Sequence, residues 1–312
     1  MRALAKIIAG VPSRAGASGQ AARGHLAMLL FSALVAGSFS LGALAANEIA
    51  PTALNAVRFL IAGSVIGAVA WASGGLTRRA LRAPWRYALM GGLFAVYFVL
   101  MFEGLKSAPP VSSAAVFTLT PAMSALFGWL LLRQVLTPRM ALALAVGAAG
   151  ALWVIFRAEL DALLAFRIGA GERIFFIGCV AHALYTPLVR LLNRGESALV
   201  FSFGMMVAGF LVLLAWGWND LRATDWAALP PIVWITIAYT SLAASAMTFV
   251  LLQFATLRLP ASKVMAYTYL TPSWVILWEI ALGHGAPRPL VLVGVGLTVL
   301  ALRLLLKDER GG

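Results

Sequence analysis

Long apolar stretches, separated by short polar connections, run along almost the whole chain. Many of them reach about 20 residues, which is the length that an α-helix needs to cross about 30 Å of hydrocarbon. Ten such helices are predicted, at about 25–46, 51–73, 84–106, 110–132, 138–156, 170–192, 197–217, 228–257, 260–282 and 287–306. Several begin at a proline, whose missing N–H would have no partner in the first turn of a helix. The pattern predicts an all-α integral membrane protein with ten transmembrane helices.

One proline-containing signature occurs twice. Leu119-Thr120-Pro121 has its counterpart 151 positions later in Leu270-Thr271-Pro272, which is an offset of almost half the 312 residues. The predicted segments are a tail at 1–24, a five-helix repeat at 25–157, a second repeat at 170–306 and a tail at 307–312. A unit with an odd number of spans ends on the opposite side of the membrane from its start, so the second copy runs in the inverted sense. Inverted repeats of this kind surround a midplane site in secondary transporters.

The composition agrees with this pattern and excludes a soluble domain. Hydrophobic residues make up 62% of the chain and charged residues 11%, with a mean hydropathy of +0.93. A net charge of +13 could indicate a nucleic-acid partner, but the basic residues lie in short loops between apolar spans, where they are typical of topology signals. Most of them follow even-numbered helices or lie in the tails. This bias predicts no nucleic-acid binding and a multi-pass protein of the bacterial inner (cell) membrane with both termini in the cytoplasm.

Three short motifs carry a resemblance to a known family. They are Ala56-Val57-Arg58-Phe59-Leu60-Ile61-Ala62-Gly63 in helix 2, Ser112-Ser113-Ala114-Ala115 followed by Pro121 in helix 4, and Gly147-Ala148-Ala149-Gly150-Ala151 in helix 5. With the duplication and the ten spans, the chain resembles the EamA-type branch of the drug/metabolite transporter superfamily over residues 25–306. The resemblance implies transport of a small metabolite, often export, through a cavity lined mainly by helices 1, 3, 4, 6, 8 and 9.

The repeated Thr-Pro pairs fall about 11 residues into their spans, which places them near the midplane at about 1.5 Å per residue. A proline there frees a carbonyl, which is tolerated at membrane depth where it lines a cavity or is bonded by a neighbouring hydroxyl. Pro121 and Pro272 are therefore candidate hinges beside a site. The alternative interpretation is a static kink.

Aromatic and hydroxyl side chains share helix faces near the same depth. On helix 9 such a stripe predicts a wet cavity that faces a similar stripe on helix 4, although Ser and Thr also serve in plain helix packing. The candidate substrate-binding residues are Tyr97, Phe117, Thr120, His182, Tyr185, Tyr239, Tyr267, Thr271 and Trp274. Aromatic walls with a few hydroxyls favour an amino acid or another amphipathic solute.

Four charged residues within the predicted spans are candidates for gates or coupling, because a charge at depth is costly unless it is paired or hydrated. Arg58 and Glu103 are predicted to form an ion pair in the outer half of the membrane, either as a structural pair or as a gate or proton-coupling carboxylate. Glu279 lies near the outer end of helix 9. Lys263 lies near its inner end, where its side chain could also snorkel to the cytoplasm.

These features predict a secondary transporter, acting as an exporter and driven by a proton gradient or an exchange substrate. The sequence contains no Walker or Rossmann glycine motif and no cysteine or histidine cluster, so no cofactor and no metal are predicted. The alternative is a polytopic membrane enzyme or scaffold acting on lipid-like substrates, for which His182 is the only candidate base. The chain is expected to act as a monomer or a homodimer.

Overall fold

The chain is helical throughout the part that the structure, a computed structural model, describes. That part covers residues 17–76, 82–165, 168–256, 258–259, 264 and 266–307, without the side chains of residues 17–19, 186, 253, 256 and 307. It contains no strand, and nine of its helices are long and apolar enough to cross a membrane. The predicted class, an all-α integral membrane protein, is confirmed.

Ten helices are numbered here in chain order. They are α1 (Ala17–Ala45), α2 (Pro51–Ala72), α3 (Trp85–Leu105), α4 (Pro110–Leu132), α5 (Pro138–Ile155), α6 (Ala170–Leu192), α7 (Ala198–Trp216), α8 (231–256), α9 (Thr271–Ala281) and α10 (Pro289–Lys307). Short helices at Leu160–Leu164 and Trp218–Ala223 lie in the connections. Helix α8 consists of Pro231–Ser241, a π-helical segment at Leu242–Met247, and Thr248–Thr256. A 3₁₀ turn at Tyr267–Leu270 precedes α9.

Two boundaries differ from the expectation. Helix α1 already includes residues 17–24, which were predicted to be part of a tail, because this segment contains three alanines and no proline, so the helix continues through it despite its two glycines. The predicted ninth span begins at residue 260, but residues 260–263 lie outside the described part, and Thr271–Ala281 alone is too short to cross. The number of ten spans therefore stays a prediction.

Helices from the two halves pack in matching pairs. Helix α2 packs on α7, and α5 packs on α10. Helix α3 packs on α6, and in the same way α8 packs on α1. The second segment of α4 packs on α6, and correspondingly α9 packs on α1. Exchanging each helix for the one five places later leaves this set of contacts unchanged, as expected for two equivalent halves around a pseudo-twofold axis.

The Thr-Pro signature breaks both helices that contain it. In α4 one helical segment ends at Phe117 and the next begins at Thr120, with Pro121 in its first turn. Since Pro121 has no N–H for the carbonyl of Phe117, the Thr120 hydroxyl donates a hydrogen bond to that oxygen at 2.6 Å. In the second repeat the 3₁₀ turn stops at Leu270 and α9 begins at Thr271. The predicted interruptions are therefore present in both copies.

The helix ends gather at two faces of the bundle. One face, called the basic end here, carries Arg86, Arg190 and Arg258. There the start of α3 meets the end of α6, and the Arg86 side chain donates hydrogen bonds to the Leu192 carbonyl and to Glu196. Also at this end, Arg258 donates to Gln20 Oε1 at 2.8 Å, which ties the end of α8 to the start of α1. At the opposite end, the end of α3 meets the start of α6 at Gly104 and Gly171.

Candidate functional site

A cavity of about 480 Å³ lies between the two halves of the bundle. Its size is within the range of pockets that hold small organic ligands, roughly 300–1,000 Å³. Both repeats contribute to its walls. Helices α1, α3, α4, α6 and α8 line it as expected, α2 and α7 line it as well, and from the predicted ninth span only Val264 and Thr268, which precede α9, are among the described lining residues. Its described lining comprises Met28, Phe31, Val35, Ser38, Arg58, Phe94, Tyr97, Phe98, Met101, Phe117, His182, Tyr185, Val189, Arg190, Asn193, Ala198, Phe201, Ser202, Ala244, Thr248, Phe249, Leu252, Val264 and Thr268.

One wall of the cavity consists of rings that contact one another. Phe94 is central, with its ring centroid 4.3 Å from that of Tyr185 and 6.0 Å from that of Phe249. The Tyr97 ring lies 4.6 Å from His182. Helical spacing on α3 and α6 brings these rings to one face, because residues three or four apart are neighbours on a helix. The wall offers a large apolar contact area with a few polar edges.

Aromatic packing closes the cavity towards the opposite end. The Phe39 ring of α1 lies 5.9 Å from Phe117 and 5.8 Å from Phe175, and all three are buried. Behind them a Cβ added to Gly104 would stand 2.7 Å from the Gly171 carbonyl oxygen, so the two backbones touch. No side chain larger than hydrogen fits at this crossing without displacing backbone.

The cavity reaches the surface at the basic end. Arg190, Asn193 and Ala198 border it there, and Arg190 is exposed. Beside this mouth, Arg86 Nη2 lies 2.7 Å from Glu196 Oε1 in a buried ion pair that ties the α6–α7 connection to α3. The Arg86 hydrogen bond lowers the pKa of the Glu196 carboxyl to about 2.

Arg58 borders the cavity but does not pair with Glu103, so the predicted ion pair is wrong. Glu103 Oε2 instead lies 2.7 Å from Lys106 Nζ, one turn further on at the exposed end of α3. The Arg58 side chain extends to the π-helical segment of α8, where Nε donates to Ser245 Oγ at 3.0 Å. Its guanidinium carbon lies 3.6 Å above the Phe98 ring.

Four of the predicted substrate-binding residues border the cavity: Tyr97, Phe117, His182 and Tyr185. Thr120 lies behind Phe117 and bonds the backbone instead. Pro121 borders a second cavity of about 150 Å³ that also includes Gln134 among its lining residues. Four helices, α4, α5, α6 and α10, supply most of that lining, so the candidate hinge has open space on one side.

The aromatic stripe of α9 does not face α4 across the cavity as expected. Trp274 Nε1 donates to Ser32 Oγ of α1 at 3.0 Å, and the Tyr267 hydroxyl lies 2.9 Å from His25 Nδ1. Thr271 is buried beside them, together with the candidate hinge Pro272. The stripe contacts α1 because α9 packs on that helix, so the polar atoms of Trp274 and Tyr267 bond a neighbouring helix.

Two further predicted residues, Tyr239 and Glu279, also lie apart from the cavity lining. Tyr239 donates to the Leu34 carbonyl of α1 at 2.9 Å. Glu279 pairs with His284 at 2.8 Å, at the far end of α9. Lys263 lies outside the described residues.

Several lining residues were missed by the sequence reasoning. Phe94 and Phe249 supply the centre of the aromatic wall, and the spacing of Phe94 from Tyr97 and Phe98 could have placed it on that face. Ser38 of α1 also lines the cavity. The π-helical segment that carries Ser245 has no recognisable sequence signal, although such segments are frequent at functional sites. Within the described residues, no group of His, Cys, Asp and Glu could hold a metal.

Comparisons with known proteins agree with this architecture. The model of the EamA-like transporter family matches twice, at residues 22–156 and 170–307. The "Uncharacterized transporter YyaM" of Bacillus subtilis (strain 168) is 25% identical over 282 residues, which covers 89% of this chain and 92% of that protein. A crystal structure of a protein with 23% identity has a TM-score of 0.68 and covers 95% of this chain and 99% of its own, which shows a shared fold.

Proposed function

The chain belongs to the EamA-like transporter family, and we propose that it moves a small organic metabolite, such as an amino acid or another amphipathic solute, by alternating access. The family match supports membrane transport in preference to enzymatic chemistry on lipid-like substrates. The observation that carries the proposal is the central cavity of about 480 Å³, which both repeats line and which extends from the exposed Arg190 at one end to the buried Phe117 at the other. A site closed at one end and open at the other is what one state of an alternating-access cycle requires.

The sidedness follows from the charge distribution. With the basic end in the cytoplasm, the cavity mouth at Arg190 and Asn193 faces the cytoplasm, and the Phe39–Phe117–Phe175 cluster is the external gate. A cavity that takes up solute from the cytoplasm fits an exporter of the bacterial inner membrane. Either the proton gradient or an exchange substrate drives the cycle. The matched helix pairs support the inverted orientation of the two halves.

Transport can be tested with purified protein in liposomes that are loaded with a panel of radiolabelled amino acids and aromatic acids. We expect accelerated efflux of at least one solute compared with protein-free liposomes. Ser202→Trp fills the cavity from α7 and should abolish this efflux. Leu211→Trp is the matched control on the same helix, because Leu211 is exposed on the lipid-facing surface, and it should transport normally.

The possible outcomes separate cleanly. Efflux no faster than in protein-free liposomes across the panel, from protein that is monodisperse by size-exclusion chromatography, would count against transport. Equal efflux by folded Ser202→Trp and Leu211→Trp proteins would show that the cavity is not the path.

A further inference from the structure

Arg58 is a buried cation whose hydrogen bonds are incomplete. Its side chain is 1% exposed. Nε donates to Ser245 Oγ and Nη2 reaches the Ala244 carbonyl at 3.5 Å, but Nη1 has no hydrogen-bond partner among the described residues. A guanidinium at membrane depth is costly unless an anion or a full set of acceptors compensates it.

No carboxylate of the described chain supplies that anion. Every Asp and Glu between residues 17 and 307 is described, and none forms a salt bridge with Arg58. The nearest candidates by depth are bonded elsewhere, Glu103 to Lys106 and Glu172 to Ser112. Among the described residues that line the cavity, the charged ones are Arg58 and Arg190, both positive. The cavity therefore has a positive charge without a counter-ion.

Two other polar atoms of the lining share this condition. Ser38 Oγ and His182 Nδ1 are buried and have no hydrogen-bond partner among the described residues. His182 is connected to Arg58 through rings in contact, because Tyr97 lies 4.6 Å from His182 and 4.7 Å from Phe98, whose face the guanidinium covers at 3.6 Å. Buried polar groups in a native protein are usually bonded. Three of the eleven buried side-chain atoms without a partner among the described residues border this one cavity, where a ligand could bond them.

A purely structural role explains only part of this arrangement. The bonds of Nε and Nη2 fix α2 of the first repeat to the π-helical segment of α8 in the second. They leave Nη1 unused, whereas a residue that only holds two helices together would be expected to have all its donors satisfied.

We propose that Arg58 binds the carboxylate of the transported solute, whose apolar or aromatic body lies against Phe94, Tyr185 and Phe249. This proposal rests on the proposed function and names its substrate class, monocarboxylic acids with an apolar body. A guanidinium donates to a carboxylate with charge-assisted hydrogen bonds. A phosphate group would call for a cluster of cations, and the ammonium group of an amino acid would find no carboxylate among the described lining residues. Simple carboxylates should therefore bind better than α-amino acids.

A ligand series on the unmodified protein tests this directly. We expect purified protein in nanodiscs to bind 3-phenylpropanoate at least 10-fold more tightly than 3-phenylpropanamide, 3-phenylpropylamine or phenylalanine, measured by isothermal titration calorimetry. The amide has the same shape without the charge, and the amine has the opposite charge. Equal or tighter binding of the amide or the amine would overturn the proposal.

Variants then assign the preference to Arg58. Arg58→Gln should remove the preference for the carboxylate over the amide, and Arg58→Lys should keep a reduced preference. Arg288→Gln is the control, because Arg288 is exposed, pairs with Glu159 and is not among the lining residues of the cavity, and it should bind as the parent protein does. A preference that persists in Arg58→Gln would overturn the assignment. If Arg58→Gln does not fold, folded Arg58→Lys decides the assignment: a reduced preference for the carboxylate supports it, and a preference equal to that of the parent protein overturns it.

The outcome for this site is separable from the outcome for transport. If Ser202→Trp blocks efflux of neutral or cationic solutes and the protein shows no preference for carboxylates, transport is supported and carboxylate binding by Arg58 is contradicted. Carboxylate binding that depends on Arg58, without efflux of any solute, would keep the site and count against transport.

Discussion

The proposed inverted repeat would build the two ends of the bundle from equivalent helices, and the two ends are packed differently. At the opposite end, α1 lies against α3, α4 and α6, with Phe39 between Phe117 and Phe175 and with Gly42 against Leu105. At the basic end, the C-terminal half of α6, the proposed counterpart of α1, contributes Tyr185 and Val189 to the cavity lining, and Asn193, which directly follows α6, borders the cavity as well. One member of the pair is sealed and the other is not.

This difference shows where a conformational change would act. If the two halves had the same conformation, both ends would be packed alike. The difference in packing between the two ends therefore reflects a difference in conformation between the halves, and not a difference in the number or order of their helices. If each half adopts the conformation that the other half has now, the sealed end opens and the open end closes. Each half then makes the contacts that the other half makes now.

The largest effect expected concerns which sides of the membrane the two ends occupy. A reporter that is active only in the cytoplasm, fused after Asn193 at the basic end, should give full signal, and the same reporter fused after Leu163 should give none, because the positive-inside bias places these ends on different sides. Alkaline phosphatase fusions at both points should give the reverse pattern. Identical signals at the two fusion points would contradict this prediction, since the two ends of the bundle would then not lie on opposite sides of the membrane.

A smaller but still large effect is expected at the sealed end. Gly104→Val places a side chain against the Gly171 carbonyl, which is backbone and cannot rotate away, so we expect a loss of about 3 kcal/mol in the free energy of unfolding. The same change at Gly92, also in α3, meets nothing within 4 Å and is the control. Melting temperatures in detergent measure both. Equal melting temperatures would show that this crossing is not tightly packed.

An intermediate effect is expected at the basic end, where the buried pair of Arg86 and Glu196 holds the α6–α7 connection. Glu196→Gln should lower the free energy of unfolding by about 2 kcal/mol, the usual value of a hydrogen bond to a charged group. The Arg86 hydrogen bond lowers the pKa of Glu196 to about 2 in the folded state, against about 4.3 in the unfolded chain. The contribution is therefore fully present above about pH 4.3 and is lost as the pH falls towards 2.

Thermal unfolding of the parent and of Glu196→Gln between pH 7 and pH 3 measures this contribution. The difference between the two should be constant from pH 7 to about pH 5 and should shrink below that. If the stability difference between the parent and Glu196→Gln already shrinks between pH 7 and pH 5, the pH dependence belongs to a titrating group other than Glu196.

The smallest effect separates the cavity wall from the α9 stripe. Tyr185→Ala removes a ring of the wall and should weaken binding of the best solute of the transport panel by about 1 kcal/mol, the value of one aromatic contact. Trp274→Ala should leave the dissociation constant unchanged and lower the melting temperature, because Trp274 bonds α1 outside the cavity. If Trp274→Ala weakens binding and Tyr185→Ala does not, the binding site lies between α4 and α9 instead.

The sequence predicted those parts of the fold that depend on local rules. Helix bounds follow from the thickness of the membrane, and the interruptions at Thr120-Pro121 and Thr271-Pro272 follow from the missing proline N–H. The double match of the family model confirms the repeat itself. These features require no knowledge of which helices are neighbours.

The candidate site depended on neighbours that the sequence does not specify. A helical stripe identifies one face of α9, but not whether Trp274 on that face meets water or, as here, Ser32 of α1. In the same way, Arg58 had Glu103 as its obvious partner by depth, whereas its actual partner, Ser245, is 187 positions away in a π-helical segment. Charge and depth are therefore insufficient to pair residues across a bundle.

The packing of α1 has a consequence for how the chain is made. This helix leaves the ribosome before the nine helices numbered after it, but α8 and α9 supply hydrogen bonds to it, as in the bonds from Thr236 to Leu41, from Tyr239 to Leu34 and from Trp274 to Ser32. During synthesis α1 therefore enters the membrane before its hydrogen bonds to α8 and α9 can form, because those helices are inserted later. A chain truncated after the first repeat should insert, yet remain a substrate for membrane proteases, since its first helix keeps its contacts with α3 and α4 but lacks those with α8 and α9.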